Sequence, residues 1–543
     1  MTPSGGSTER RIRFFGDCAV VAETSSVAEA HGLARAVSAR RWPGVEDVIV
    51  GYRSVSVVVD PTIADPCALG PELAGMAAEP DPRAQGPRHV VDVPVVFDGP
   101  DLDEVGRLAR LSPQAMVRRL VSARLEVAFV GFLPGFAYLH GLPPELAAVA
   151  RRHTPRPSVP AGSVALGGGF AGIYPQASPG GWQVVGHTGV RLFDPDTPPF
   201  ATLGPGDVVR LRAADDATVP TRRPRRTLRA PATAAGRSAT VRHAGLLSTV
   251  QDLGRVGVAA LGVPRAGGAD PFMVRTANRL MGNDDGAAVI EVTAQGPTIS
   301  FDCAAHVAVV GGAAVSLDGR PVPADTVIPV APGQVLSVGT THEALRAYVA
   351  VAGGVDIDAV LGSRSSDMLT GLGAGPLRPG DVLGIGAPTR PRGRIVPLGL
   401  GGDRVRVVAG PDDVDPDALE GLVSGPWQVG PASDRMGVRL ARPEGPGIAP
   451  PAGGIASRGL VTGAVQVTPD GRPVVMLCDH ATVGGYPVVA TVISADVGVL
   501  ARCRPGDDVR FELVAQREAR AARTAAERAL DAAVTGWYPV RTA

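Results

Sequence analysis

Two histidines stand in glycine-rich segments where a side chain can meet a ligand: His187 in VVGHTG and His480 in CDHATVGGY. An imidazole there can shuttle a proton near neutral pH, or it can cap a turn. Arg435 and Arg439 lie four apart in SDRMGVRL. On an extended segment both share a face, where two guanidiniums could clamp a carboxylate or a phosphate. The competing reading is an Arg–Asp network that ties strands together. Asp252 with Arg255 in TVQDLGRVG, Asp270 in GGAD and Glu291 in VIEVT pose the same choice.

Composition narrows the chemistry. All 53 basic residues of this 543-residue chain are arginine; lysine is absent. That excludes a P-loop lysine, a Schiff base, a Ser-Lys dyad and a covalently attached biotin on this chain. Phosphate or carboxylate must be met by arginine, backbone N–H groups or a metal. The 53 acidic residues balance the charge to zero, which argues against nucleic acid and membrane surfaces as partners. HExxH, GxSxG and metal-spaced histidine pairs are missing. Gly167, Gly169 and Gly172 match GxGxxG, yet Pro175, Pro179, Gly180 and Gly181 follow, so no helix can present its N-terminus to a pyrophosphate. Cys18, Cys67, Cys303, Cys478 and Cys503 are scattered, as reduced thiols are. With no signal-like or membrane-length apolar run, the expectation is a soluble cytoplasmic protein.

Glycine (70), proline (51) and few aromatics (4%) describe a turn-rich β protein, and 45% hydrophobic residues supply cores for several domains. Residues 1–85 read as a small α+β unit, with a helix over 25–40 capped by Ser25 or Ser26, a hairpin turning at Gly51-Tyr52-Arg53, and a short helix near 66–77. Residues 86–212 open with the strand HVVDVPVVF and two helices, the second begun by Ser112-Pro113, and then read as β throughout. Residues 213–238, rich in Ala, Pro, Thr and Arg, read as a flexible linker. Residues 239–513 are strand-like apart from a helix near 271–281, and 514–543 hold an Ala/Arg-rich helix expected to pack at the periphery. A faint echo links VPAGSVALGGG…SPGGWQVVG…LGPGDVVRLR (159–212) to LVTGAVQVTPDG…TVGGYPVVATV…CRPGDDVRF (460–511), which suggests two related barrels.

GFLPGFAYLHGLPPEL (131–146), RHTPRPSVPAGSVALGG (152–168) and GIYPQASPGGWQVVGHT (172–188) resemble the allophanate hydrolase subunit 1 family, which includes the B component of 5-oxoprolinase and Kip-type kinase inhibitors. LLSTVQDLGRVGVAALGVPRAGGAD (246–270), ANRLMGNDDGAAVIEVTAQGPTISF (277–301), LGSRSSDMLTGLG (361–373) and SDRMGVRL (433–440) resemble the allophanate hydrolase subunit 2 family, which includes the C component of 5-oxoprolinase. Both resemble the carboxyltransferase region of urea carboxylase. The resemblance implies a mainly β fold: two cyclophilin-like β-barrel halves, fused here by the linker, with the small α+β unit at the N-terminus. It implies ATP-dependent activation of 5-oxoproline or a related cyclic amide. The implied partner is the LamB/YcsF-type A component of 5-oxoprolinase, with Mg²⁺ sharing the phosphate charge.

On that resemblance, Arg156, His187, Arg435 and His480 are the catalytic candidates. Phe132, Gly135, Ser163, Tyr174, Ser178, Gly180, Trp182, Gln251, Asp252, Arg255, Asp270, Arg439, Gln466 and Tyr486 are candidates for substrate or nucleotide binding. Asp252, Asp270 and Asp479 are candidate metal ligands. The site is expected in a cleft between the barrels. His187 stands where the first family often has arginine, and Val488 where the second often has a basic residue, so the substrate is open to differ. Two other readings stay open: a carboxyltransferase acting on urea or a similar amide with a biotin carrier in trans, and a non-enzymatic histidine-kinase regulator. Self-association into a homo-oligomer is also open.

Overall fold

Runs such as VEDVIVG and SVSVVV are β-branched and bounded by turn residues, which favours strands. In a computed structural model that describes residues 10–77, 89–218, 228, 236–395, 402–442, 447–449 and 455–537, they pair as Val45–Gly51 and Ser54–Val59. With Ile12–Phe15 and Ala19–Glu23 they make a four-stranded sheet. Two helices complete this unit. Val27–Arg40 starts where Ser26 accepts the Glu29 N–H at 3.1 Å, and Pro66–Gly75 starts where Asp65 accepts the Cys67 N–H at 2.9 Å.

The next unit is a seven-stranded sheet with Val90–Val95 at one edge and Gln183–His187 at the other. Those edges meet: Val96 and His187 exchange both backbone hydrogen bonds at 2.9 Å and close the sheet on itself. The last barrel opens with Arg404–Ala409 and ends with Asp508–Leu513; it is closed and repeats the same winding. In each barrel the first strand runs parallel to the last, and the remaining strands follow in matching order. The two Pro-Gly-Asp turns match as well. Asp207 accepts the Gly204 N–H at 2.8 Å and Asp507 the Arg504 N–H at 2.7 Å, each just before the closing strand. The echo in the sequence is therefore a repeated topology.

The second half holds more than its barrel. Strands from the 238–385 region form a seven-stranded and a five-stranded sheet packed around one Val/Ile/Leu core. The helix Pro271–Met281 lies on this body, its first N–H groups capped by Asp270. The 167–172 segment is a hairpin: Gly168 and Gly169 take positive φ between strands Ser163–Gly167 and Phe170–Ile173, and no helix follows. Most of the expected linker lies outside the described residues; within it, Leu228 donates its N–H to Asp381 at 2.9 Å. No helix among the described residues is long and apolar enough to cross a membrane.

The expectation of a peripheral C-terminal helix is corrected. Gln516–Ala533 buries a stripe of Ala519, Ala522, Ala526, Leu530 and Ala533, small residues that allow close approach. Its polar stripe reaches both halves: Gln516 donates to Gly16 O at 3.0 Å, and Arg275 forks onto Glu527 with two 2.8 Å bonds.

The halves interlock through backbone as well as side chains. Gly135 N–H donates to Leu261 O at 2.8 Å, and Gln176 reaches Leu369 O at 3.2 Å. Gly131 faces Val483, and a Cβ on Gly131 would sit 2.5 Å from the Val483 side chain. Gly131→Val is therefore expected to wedge the halves apart at a cost of about 1–3 kcal/mol, read as a lowered urea midpoint; an unchanged midpoint would show that the contact is not tight.

Candidate functional site

Arg435 is buried, and all three of its guanidinium nitrogens are engaged. Its Nε and Nη2 donate to the two Asp479 oxygens at 3.0 and 2.9 Å, Nη2 also donates to Gly267 O at 2.6 Å, and Nη1 donates to Glu291. Glu291 accepts the Ala269 N–H at 2.8 Å and has Arg346 at 3.6 Å. Burial alone would raise the Glu291 carboxyl. Arg435 and Arg346, with the Ala269 N–H, outweigh it and hold the group below the ordinary carboxylate range. This cluster joins strand Val289–Thr293 to the loop that carries Asp479.

That loop is the key to the site. Asp479 turns back into the cluster, while Cys478, His480 and Thr482 line a cavity of about 420 Å³. The opposite half supplies Cys18, Glu46, Asp47 and Thr62 from the α+β unit. Arg265 and Phe272 join from the second half, and Arg523 from the C-terminal helix. Burial holds the His480 imidazole below its ordinary range, so it is neutral at pH 7. Its Nδ1 lies 2.7 Å from Ala481 O, and donation there leaves the lone pair on Nε2. Thr482 is buried and its hydroxyl has no partner among the described residues. Burial pushes the Asp47 carboxyl up to about 6, although the Ala259 N–H donates to it at 2.9 Å. Burial also pushes both cavity thiols, Cys18 and Cys478, well up, so neither is a ready thiolate. The wall thus offers a proton acceptor, an unused hydroxyl, a carboxyl that titrates at about pH 6, and arginines.

Of the catalytic, binding and metal candidates named from the sequence, His480 alone lines this cavity. Arg156 is committed to Asp101 through two bonds of 2.7 and 2.8 Å, beside Arg152. His187 closes its barrel and holds Asp98 at 2.8 Å. Phe132, Tyr174 and Trp182 join Phe136 in an edge-to-face aromatic core. The nearby glycines serve that core: a Cβ on Gly180 would lie 2.4 Å from the Tyr174 hydroxyl, and Gly135 takes positive φ in the turn after Phe132. Ser163 and Ser178 are buried on strands of the same unit.

In the second half, Arg439 stays exposed and donates to Ala432 O at 3.2 Å, away from the buried Arg435, so no two-arginine clamp forms. Gln466 donates to Tyr486 O at 3.2 Å, and Tyr486 is half exposed. Gln251 bonds Thr249 and Ser366, and Arg255 bonds the Val360 and Ser365 carbonyls. The three carboxylates expected to hold metal do not converge. Asp252 accepts from Gly254, Ser363, Arg364 and Ser365, Asp270 caps its helix and pairs with Arg502, and Asp479 pairs with Arg435. Among the described residues no group of three metal-ligating side chains exists.

The residues that sequence reasoning missed are Asp47, Arg265, Thr482 and Arg523. Asp47 carried a usable signal, an acid inside the β-branched run VEDVIV. Because Arg435 is the buried cation that pairs with both Asp479 and Glu291, Arg435→Gln is expected to cost about 3–5 kcal/mol of stability. Chemical denaturation checks this, and a loss under about 1 kcal/mol would contradict the described role.

The carboxyltransferase domain, subdomain C and D, matches residues 10–203, and subdomain A and B matches 261–513. The C component of 5-oxoprolinase from Escherichia coli is 35% identical over 52% of this chain and 93% of its own. The B component of 5-oxoprolinase from Escherichia coli O157:H7 is 36% identical over 36% of this chain and 94% of its own. Urea amidolyase of Saccharomyces cerevisiae is 33% identical over 49% of this chain, which spans 16% of that larger protein. The crystal structure of TTHA0988 superposes with a TM-score of 0.81 at 35% identity, covering 93% of this chain and 99% of that one. The chain belongs to the carboxyltransferase-domain family that holds the B and C components of 5-oxoprolinase, with the two types joined in one polypeptide.

Proposed function

We propose that this chain is the fused B/C component of an ATP-dependent 5-oxoprolinase. It activates 5-oxoproline or a related cyclic amide, and a LamB/YcsF-type partner protein completes ring opening to glutamate. The observation that carries this reading is the shared cavity: its wall needs the α+β unit of the B-like half and the loops of the C-like half together. Its volume of about 420 Å³ suits a small molecule. Fusion keeps the halves at fixed stoichiometry and high effective concentration.

A lactam is a poor electrophile, and phosphorylating its amide oxygen supplies a leaving group; that is the chemistry ATP would contribute. The chain's own groups bind and manage protons. As the amide oxygen takes the phosphoryl group, Nε2 of His480 accepts the ring N–H proton, and the Thr482 hydroxyl makes a hydrogen bond to the amide. Both residues are buried in the cavity wall, shielded from bulk water.

The test is ATP hydrolysis by the purified chain with and without 5-oxoproline and the cognate LamB/YcsF-type protein. ADP release stimulated by 5-oxoproline, with glutamate formed only when the partner is present, is the expected result. Silence with every combination would overturn the reading. Carboxylation of urea with a biotinylated carrier added in trans would replace it with the carboxyltransferase function.

A further inference from the structure

The C-terminal helix Gln516–Ala533 lies beyond residue 513, where the family match ends, yet it completes the cavity wall with Arg523. Three arginines line that cavity, and two are fully engaged. Arg265 holds Glu46 through both terminal nitrogens and Leu253 O through Nε. Arg275 forks onto Glu527 at 2.8 Å through both terminal nitrogens and reaches Asp285 at 2.9 Å through Nε. Arg523 differs. Its Nε faces Glu527 at 3.0 Å, and its guanidinium lies 5.3 Å from the Phe272 ring centre, but neither terminal nitrogen has a partner among the described residues.

The neighbourhood fixes that side chain. Arg520, one turn earlier, is held by Asp65, and Glu527, one turn later, is held by Arg275. The Phe272 face supports the guanidinium, and the side chain is 18% exposed. Arg523 also lines the adjoining smaller cavity beside Thr62, so it stands at the junction of the two spaces. A pre-set guanidinium with a free terminal edge is suited to a planar anion.

We propose that Arg523 is the anion-binding residue of the junction cavity and receives the carboxylate of the small amide substrate. The assignment rests on the function proposed above, and it makes the C-terminal helix a determinant of specificity. A phosphate of the nucleotide is the other anion that could occupy the same edge, and the two are separable by experiment.

The experiment is calorimetric titration of the full chain with 5-oxoproline, with 2-pyrrolidinone (the same ring without the carboxylate), and with a non-hydrolysable ATP analogue. The parent is expected to prefer 5-oxoproline over 2-pyrrolidinone by about tenfold or more, the scale of a charge-assisted bidentate contact. Arg523→Gln, which keeps the helix and the aliphatic stem, is expected to bind both rings equally and the ATP analogue unchanged; Arg523→Lys is expected to restore part of the preference. A preference retained in Arg523→Gln overturns the assignment while leaving the function intact. Loss of ATP-analogue binding with the preference retained assigns the edge to phosphate instead. Failure of the parent to bind either ring overturns both this assignment and the proposed substrate class.

Discussion

A guanidinium buried with two carboxylates is the constraint on which the rest of the arrangement depends. Arg435 cannot be left without Asp479 and Glu291, because an unpaired charge in that interior costs several kcal/mol. The pairing fixes the path of the loop over 478–483. With Asp479 turned inward, the alternate residues Cys478, His480 and Thr482 face the cavity. Val483 then meets Gly131 of the other half, where only a glycine leaves room. One buried ion cluster thereby sets both the cavity wall and the fit between the halves.

The two barrels share their winding, but they are used differently. The first is sealed by the Val96–His187 exchange and filled against the α+β unit by an aromatic core that includes Phe129, Phe136, Tyr138 and Trp182. The second is packed largely with aliphatic residues around Trp427, and the loop leaving it at Cys478 opens onto the junction. The cavity is therefore made where the halves meet, with the C-terminal helix as a third wall. Such a site depends on both halves at once, which gives a physical sense to joining them in one chain.

Much of the fold was legible in the sequence. Ser26 and Ser112 as helix caps, the hairpin at Gly51-Tyr52-Arg53, the helix starting at Pro271 and the paired Pro-Gly-Asp turns all depend on local chemistry, and all are present. The site was far less legible. Arg156, Asp252 and Asp270 looked chemical because they are charged residues near glycine-rich segments, but each is held by partners distant in the chain, Arg156 and Asp270 by an opposite charge and Asp252 by hydroxyl and backbone donors. Phe132, Tyr174 and Trp182 looked like ligand contacts, but they are neighbours in one aromatic core. The wall brings together Asp47, Arg265, His480 and Arg523 from far-apart stretches of the chain, and no local pattern announces such a meeting. The C-terminal helix was underrated because its buried stripe is mostly alanine, which adds little apolar area but permits close packing.

The proposed function requires the small amide to bind in the junction cavity. A crystal structure of the chain with 5-oxoproline and a non-hydrolysable ATP analogue tests it directly. Density for the lactam is expected between His480, Thr482 and Arg523. Density at the Arg156–Tyr174 face of the first barrel, with the junction cavity holding solvent, would contradict it.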